Sequence, residues 1–161
     1  MWKDETLKPA DIRKLVVDFF QDDVKRIEII RLKLFGIVDQ VVKAPIKKNK
    51  KMKITPIRKH YNYLLDIYQS YRAKSKEEKL DEKDKLRLSM AKVYSKYDEA
   101  RENINTLFSV FISSLVDEIL KEPTSNNLKR GKTLFEAFYG YAKYCIEVKK
   151  KEGGVENDKW S

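Results

Sequence analysis

A block of lysines in the first half of the chain is its densest set of side chains that could bind a ligand. No acidic residue interrupts the stretch from Lys43 to Lys59. Ammonium groups hold phosphates as hydrated point charges and do not read base edges through paired hydrogen bonds as guanidinium groups do. The block therefore predicts contact with the backbone of a polyanion, without sequence preference, although a solvated loop without function has the same pattern. The cations of this stretch are Lys43, Lys47, Lys48, Lys50, Lys51, Lys53, Arg58 and Lys59.

The net charge of the chain is concentrated around this block. The 161 residues carry a formal net charge of +10, and residues 43–75 hold ten basic residues and one acidic residue. Such a local excess makes a polyanion the first partner to consider, with nucleic acid ahead of a membrane surface or an acidic protein.

The residue types that support catalysis are scarce. One cysteine and one histidine cannot build a zinc site of the usual kind, and a single cysteine cannot form an internal disulfide. The sequence also lacks a phosphate-binding glycine loop and a nucleophile elbow. We therefore expect no enzyme activity, no metal site and no cofactor. The start of the chain has no signal-peptide pattern and no long uncharged apolar run occurs, which predicts a cytoplasmic protein that does not span a membrane.

A few other side chains could contribute to a binding site. His60 lies beside Arg58 and Lys59 and could touch phosphate, but a lone histidine is more often an ordinary surface residue. Tyr63 and Tyr139 fall outside the apolar stripes of their helices and are candidates for base stacking or for a protein interface.

Two further cations, Lys92 and Arg101, lie on one predicted helix. They are nine positions apart and so point to opposite sides of it, which means that at most one faces nucleic acid. Arg101 lies on the same side as Tyr97, and we expect it to be partly buried with Glu136 of the last helix as its acidic partner.

The elements that position these residues are predicted to be helices. Apolar residues recur at helical spacing over residues 10–42, where Asp22-Asp23 indicates either two helices or one kinked helix. Thr55 as N-cap and Pro56 in the first turn predict a second helix that runs to about residue 73. The longest periodic run, from Leu86 to Ile119, predicts a long central helix, and a last helix is expected over about 128–150.

The chain has few glycines and prolines, and its predicted elements all have helical spacing, so we expect an all-α fold. We expect a single domain over residues 1–161, a compact bundle of four to five helices. Charge repulsion predicts that the Lys-rich connection, residues 43–54, is mobile. Gly153-Gly154 is expected to end the last helix before a frayed tail over residues 152–161.

Three sequence patches in this order resemble one known family, the small subunit of the type III-A CRISPR effector, the Csm complex. The first begins a helix with an Ile-Arg-Lys-x-Tyr-like motif, the second combines Lys with Tyr-x-x-small-Arg, and the third is a Phe-x-Glu-Ala-x-x-x-Tyr-like motif. The patches are Ile54-Thr55-Pro56-Ile57-Arg58-Lys59-His60-Tyr61, Lys92 through Tyr97-Asp98-Glu99-Ala100-Arg101, and Phe135-Glu136-Ala137-Phe138-Tyr139-Gly140-Tyr141.

The resemblance implies a non-catalytic, helical RNA-binding subunit that acts in antiviral defence and stacks with copies of itself along the guide-RNA filament. Its implied partners are single-stranded target RNA, CRISPR guide RNA, and the backbone and large subunits of the Csm complex. The family motif carries over Arg58 as an RNA contact. The residues expected to bind RNA are Lys48, Lys50, Lys51, Lys53, Arg58, Lys59 and Lys92, and those expected at structural or interface positions are Tyr97, Arg101, Glu136 and Tyr141.

Two alternatives remain open from the sequence. One is a generic basic helical module for duplex DNA or ribosomal RNA, which would be favoured by a helix presenting Arg, Asn and Gln together. The other is a protein-interaction bundle whose lysines bind an acidic partner or an anionic membrane surface.

Overall fold

The computed structural model describes residues 6–148, which form a helical bundle. The expected end of the last helix at Gly153-Gly154 and the tail over residues 152–161 lie outside the described residues. The helices are α1 (Pro9–Gln21), α2 (Asp23–Glu28), α3 (Leu34–Lys43), α4 (Ile54–Gln69), α5 (Glu82–Ala100), α6 (Thr106–Lys121) and α7 (Ser125–Lys143). Short π-helical segments, Ile29–Lys33 and Tyr144–Val148, join α2 to α3 and extend α7. The predicted all-α bundle is confirmed.

The N-terminal region is a kinked pair, one of the two predicted forms. Asp22 has an extended backbone between α1 and α2, and its carboxylate accepts a hydrogen bond from the Lys25 amide at 2.8 Å. Aspartate is a strong N-cap because its oxygen pairs with an amide that the new helix leaves free. The break therefore starts the α2–α3 arm in a new direction.

The long central helix is in fact two helices, so the prediction of one element from Leu86 to Ile119 is wrong. Glu102 has a positive φ of 64°, a left-handed conformation that ends α5. Asn105 then caps α6 by accepting the Phe108 amide at 2.9 Å. The apolar pattern runs through this turn without a glycine or proline, so periodicity alone could not reveal the break.

The two halves of that pattern meet different surroundings. On α6, Phe111, Leu115 and Ile119 are buried as predicted. On α5 the predicted apolar seam points to solvent, with Leu86 64% exposed and Tyr97 57% exposed. The opposite face of α5 packs inward, and its buried residues are Asp84, Leu88, Ala91, Ser95 and Asp98.

The core centres on the aromatic side chains of α6 and α7. The rings of Phe111 and Phe138 stack with centroids 4.3 Å apart, and Phe135 meets Phe111 edge-on at 5.4 Å. Helix α1 packs against α6, and α4 packs against α7. Cys145 is buried. No helix within the described residues is long and apolar enough to span a membrane.

Candidate nucleic-acid interface

The connection between α3 and α4, residues 44–53, forms a defined turn that we call the Lys turn. Its backbone closes on itself through an Ile46 amide hydrogen bond to the Lys50 carbonyl at 2.7 Å and a Lys50 amide hydrogen bond to the Lys47 carbonyl at 2.9 Å. Asn49 takes the left-handed conformation that such a tight reversal requires, with φ 65°. The turn displays its lysines around a hydrogen-bonded loop.

Two buried side chains attach the Lys turn to the body of the protein. Met52 is 4% exposed and packs in the core. The side-chain amide of Asn105 donates to the backbone carbonyls of Val41 and Ala44, at 2.8 and 2.9 Å. Satisfied carbonyls and apolar burial offset part of the repulsion between the exposed cations. The mobility expected for this connection stays a prediction.

The cations of this region divide into paired and unpaired side chains. Lys43 pairs with Asp39 at 3.0 Å, and Lys47 pairs with Glu102 at 2.7 Å. The hydrogen bond from Lys47 lowers the pKa of Glu102. Within residues 6–148, four lysines of the turn make no ion pair and keep their charge available for a ligand: Lys48, Lys50, Lys51 and Lys53.

Helix α4 follows the Lys turn and carries the next two cations. Its N-cap is Lys53 and no side chain caps it, so the predicted capping role of Thr55 is wrong. Arg58 is half-buried and makes no ion pair with any residue that the structure describes. Lys59 instead binds the Asp98 carboxylate at 2.9 Å. Arg58 is therefore the better of the two for an RNA contact.

His60 lies in the interior, so the expectation of an ordinary surface histidine is wrong. Its Nε2 is 2.6 Å from the carboxylate of Asp98, which is also buried. Burial lowers the pKa of His60, against the opposing effect of Asp98, which favours the neutral imidazole at pH 7. Because a carboxylate only accepts, the contact requires the tautomer with a proton on Nε2.

Asp98 joins the start of α4 to the end of α5. Burial alone would raise the pKa of Asp98, but hydrogen bonds from Lys59 and His60 outweigh it and hold that pKa below its ordinary value. The amide group of Asn103 also donates to Asp98, at 3.4 Å. This buried carboxylate holds the first two turns of α4, where Arg58 lies, against the end of α5.

Lys92 does not join the Lys turn. It binds Asp117 of α6 at 2.8 Å. Lys92 and Asp98 are six positions apart on α5 and so lie about 120° apart around the helix. The structure therefore brings together the lysines of the turn and Arg58 but leaves Lys92 on another face.

The predicted pairing of Arg101 with Glu136 is not made within the chain. Arg101 is exposed, and its guanidinium lies 5.4 Å from the centre of the Tyr97 ring and donates to the Tyr97 hydroxyl at 3.0 Å. Glu136 binds Lys132 at 2.8 Å. The error has a physical cause: the helical angle placed Arg101 beside Tyr97 correctly, but that side of α5 faces solvent.

The remaining tyrosine candidates have internal partners. The Tyr141 hydroxyl donates to the Ile30 carbonyl at 3.1 Å, which supports the predicted structural position. Tyr139 is half-buried and stacks on Tyr61 at 5.4 Å. Tyr63 donates to the Arg87 carbonyl at 2.9 Å and contacts the ring of Tyr94. Both rings therefore contact other parts of the protein, and a role in base stacking stays a prediction.

Residues 6–148 contain no group of three His, Cys, Asp or Glu side chains that could hold a metal ion. The basic turn beside α4 is the arrangement in this part of the chain with the clearest capacity to bind a ligand.

A comparison with protein-family models shows which family the chain belongs to. The family model described as Csm2 Type III-A matches residues 31–147, a stretch that contains the Lys turn and all three sequence patches. The chain belongs to the Csm2 Type III-A family. As a Csm2 protein it is a small subunit of the type III-A CRISPR effector, the Csm complex, and its partners are among the Csm subunits and RNA. None of the curated proteins or solved structures that were compared matches the chain.

Proposed function

We propose that this chain is a non-catalytic, RNA-binding small subunit that holds the RNA backbone of the effector through the Lys turn and Arg58. The observation that carries the proposal is a set of four lysines without an acidic partner in the described part of the chain, on a turn fixed by Met52 and Asn105. A fixed array of unpaired ammonium groups binds a phosphate backbone with little loss of conformational entropy in the turn.

The turn presents lysines and no converging group of Arg, Asn and Gln side chains. This composition favours binding that does not depend on the sequence of the RNA. In a guide-directed complex base pairing reads the target, so a subunit that discriminated between bases would restrict the targets that the complex accepts. We propose target RNA and guide RNA as the ligands, copies of the chain and the backbone and large subunits as the protein partners, the cytoplasm as the location, and antiviral defence as the role.

Replacing the four unpaired lysines with alanine tests this proposal. We expect the variant K48A/K50A/K51A/K53A, the turn variant, to bind two unrelated single-stranded RNAs at least about tenfold more weakly at low salt. The slope of log affinity against log salt concentration should become shallower by about 0.7 for each phosphate that the variant no longer neutralises. Fluorescence anisotropy across a salt series measures both quantities.

A matched control removes the same charge elsewhere. The variant K74A/K76A/K79A/K83A, the control variant, changes four exposed lysines near the connection from α4 to α5. We expect its RNA affinity and salt slope to stay near those of the unmodified chain. Equal weakening by both variants would reduce the effect to net charge and would remove the Lys turn from the site.

The proposed partners are tested by gentle purification of the tagged chain from cells that carry the complex. Short RNAs with a CRISPR-repeat tag, together with the large subunit, are expected. Recovery of ribosomal RNA fragments or duplex DNA in their place would contradict the proposal.

A further inference from the structure

Glu102 occupies a left-handed backbone position just after α5, where glutamate is unusual. Its φ of 64° is one of two positive values at non-glycine residues in the described chain, and the other belongs to Asn49 in the Lys turn. Asparagine visits this conformation because its short polar side chain bonds locally, whereas most other side chains are strained there. Glycine is the usual residue at such a position. Backbone preference therefore does not explain this glutamate.

The backbone around Glu102 forms a Schellman motif, which holds the residue in its strained conformation. The Glu102 amide donates to the Glu99 carbonyl at 3.0 Å, and the Asn103 amide donates to the Asp98 carbonyl at 2.9 Å. These two hydrogen bonds define the motif and satisfy carbonyls that the end of a helix leaves free. Glycine would form the same motif with less strain, and residues kept in strained conformations cluster at functional sites. The feature that distinguishes Glu102 from glycine is its side chain.

The side chain of Glu102 binds the Lys turn. Its carboxylate lies 2.7 Å from the Nζ atom of Lys47, and within residues 6–148 this is the one ion pair that a lysine of the Lys turn makes. The hydrogen bond from Lys47, together with the charges of Lys47 and Lys50, lowers the pKa of Glu102 and keeps the carboxylate ionised at neutral pH. Glu102 therefore neutralises one cation of the turn and weakens the positive potential at another.

This ion pair is open to solvent and can be exchanged. The side chain of Lys47 is 57% exposed and that of Glu102 is 46% exposed. Ion pairs at this exposure contribute little to stability, because water screens them and both side chains lose rotational freedom. A phosphate oxygen makes the same kind of charge-assisted hydrogen bond to an ammonium group as a carboxylate does. A phosphate backbone held by the neighbouring unpaired lysines can therefore take the place of Glu102.

We propose that Glu102 is an internal competitor of RNA: its carboxylate occupies Lys47 in the free chain, and a phosphate of the bound RNA displaces it. Lys47 then becomes a fifth phosphate contact beside Lys48, Lys50, Lys51 and Lys53. The competition lowers the affinity of the Lys turn for any RNA and keeps Lys47 from holding other anions in the free chain. This inference rests on the RNA-binding function proposed above.

Glu102→Gln tests the competition, because it removes the charge and keeps a side chain of the same length. We expect this variant to bind single-stranded RNA about two- to fivefold more tightly at low salt, which is the range that an exposed ion pair contributes. Lys47→Ala should bind the same RNA more weakly than the unmodified chain. Fluorescence anisotropy measures each affinity.

Glu82→Gln is the matched control. Glu82 is an exposed carboxylate at the opposite end of α5 and pairs with Lys85 at 2.8 Å, so the substitution removes the same charge and frees one lysine far from the Lys turn. Its RNA affinity should equal that of the unmodified chain. A gain as large as that of Glu102→Gln would reduce the effect to net charge and would overturn the proposal.

The double variant K47A/E102Q separates competition for Lys47 from repulsion through space. On a logarithmic scale, Glu102→Gln should strengthen binding by less than about half as much when Lys47→Ala is already present, since the two residues then no longer interact. An equal gain with and without Lys47 would show that Glu102 only repels the RNA, and the proposal would fail.

Glu102→Gly tests whether the glutamate is kept at a cost to the fold. This variant and Glu102→Gln both lose the ion pair, so they differ mainly in backbone strain at a position with positive φ. The glycine variant should have the higher melting temperature. A glycine variant that melts at or below the glutamine variant would contradict the view that Glu102 is retained for its carboxylate.

The turn variant distinguishes the failure of this inference from the failure of the RNA-binding function. If the turn variant binds RNA weakly while Glu102→Gln binds it as the unmodified chain does, the competition is absent and the RNA-binding function stands. If the turn variant binds RNA normally, both proposals are wrong. Circular dichroism confirms that every variant keeps its helical content, so a change in affinity is not mistaken for unfolding.

Discussion

At the scale of single residues, the buried pair of His60 and Asp98 has the clearest consequence for stability. Burial lowers the pKa of His60 from its ordinary value of 6.5, so the unfolded chain takes up a proton at a higher pH than the folded chain does. Below pH 6.5 the unfolded state therefore binds more protons, and stability falls as the pH drops from 6.5 through the lower folded pKa. Above 6.5 this contribution to stability is fully present.

His60 is the only histidine in the chain, which makes the effect easy to isolate. We expect the melting temperature to fall steadily between pH 7 and pH 5. A His60→Gln variant should be less stable at pH 7 but should lose most of that slope, because glutamine has no proton to gain. Thermal denaturation at several pH values measures this, and an equal slope in the variant would show that another group titrates.

The buried carboxylate of Asp98 also decides which of two neighbouring surface cations is paired. Lys59 resembles its neighbour Arg58 in sequence, yet Asp98 holds it at 2.9 Å while Arg58 makes no ion pair within the described chain. Adjacent cations on a helix point about 100° apart, so only one of them could reach this carboxylate.

At the scale of elements, Asn105 links three pieces of the fold. Its side-chain oxygen caps α6, and its amide binds the carbonyls of Val41 and Ala44 where α3 gives way to the Lys turn. One side chain thus ends the turn between α5 and α6 and holds the base of the proposed RNA-binding turn. Neither contact is visible in the sequence, where Asn105 is one polar residue in an apolar run.

Asn105→Ala should therefore destabilise the protein and loosen the Lys turn together. Loss of a cap and of two buried hydrogen bonds should cost about 2–4 kcal/mol of unfolding free energy. Denaturant unfolding measures the loss, and hydrogen exchange should be faster at the Lys50 amide. Asn62→Ala, at an exposed position on α4, is the control and should change stability by less than about 0.5 kcal/mol. A stable variant with a protected Lys50 amide would contradict the linking role of Asn105.

At the scale of the whole molecule, the unpaired lysines cost stability and supply the proposed function. A net charge of +10 repels itself, and the four lysines of the turn lack acidic partners in the described chain. Salt screens this repulsion, so we expect the melting temperature of the unmodified chain to rise with salt at neutral pH.

At low salt, the melting temperature of the turn variant should be no lower than that of the unmodified chain. Added salt should raise the melting temperature of the turn variant by a smaller amount. The control variant should melt lower than the turn variant, because its lysines stand among Glu77, Glu78, Asp81 and Glu82 and their removal leaves those acids unbalanced. Calorimetry at two salt concentrations distinguishes the outcomes. A turn variant that melts well below the control variant would mean that the lysines stabilise the fold.

The sequence by itself determined the helical class, the break at Asp22 and the position of the basic block. Each of these follows from local chemistry: helical spacing of apolar residues, a capping carboxylate, and cations without nearby acids. The order of the three patches also indicated the family, which the match over residues 31–147 confirms.

Only the tertiary structure decided which face of each helix is buried and which cations are free. Val93 and Tyr97 have the spacing of a core seam, but Ala91, Ser95 and Asp98 pack inward because small and hydrogen-bonded residues let α5 approach α4 and α6 closely. Periodicity shows that a helix has an apolar face and cannot show where that face points. That choice depends on long-range contacts, which place the apolar stripe of α5 on the surface and leave Arg101 beside it in solvent.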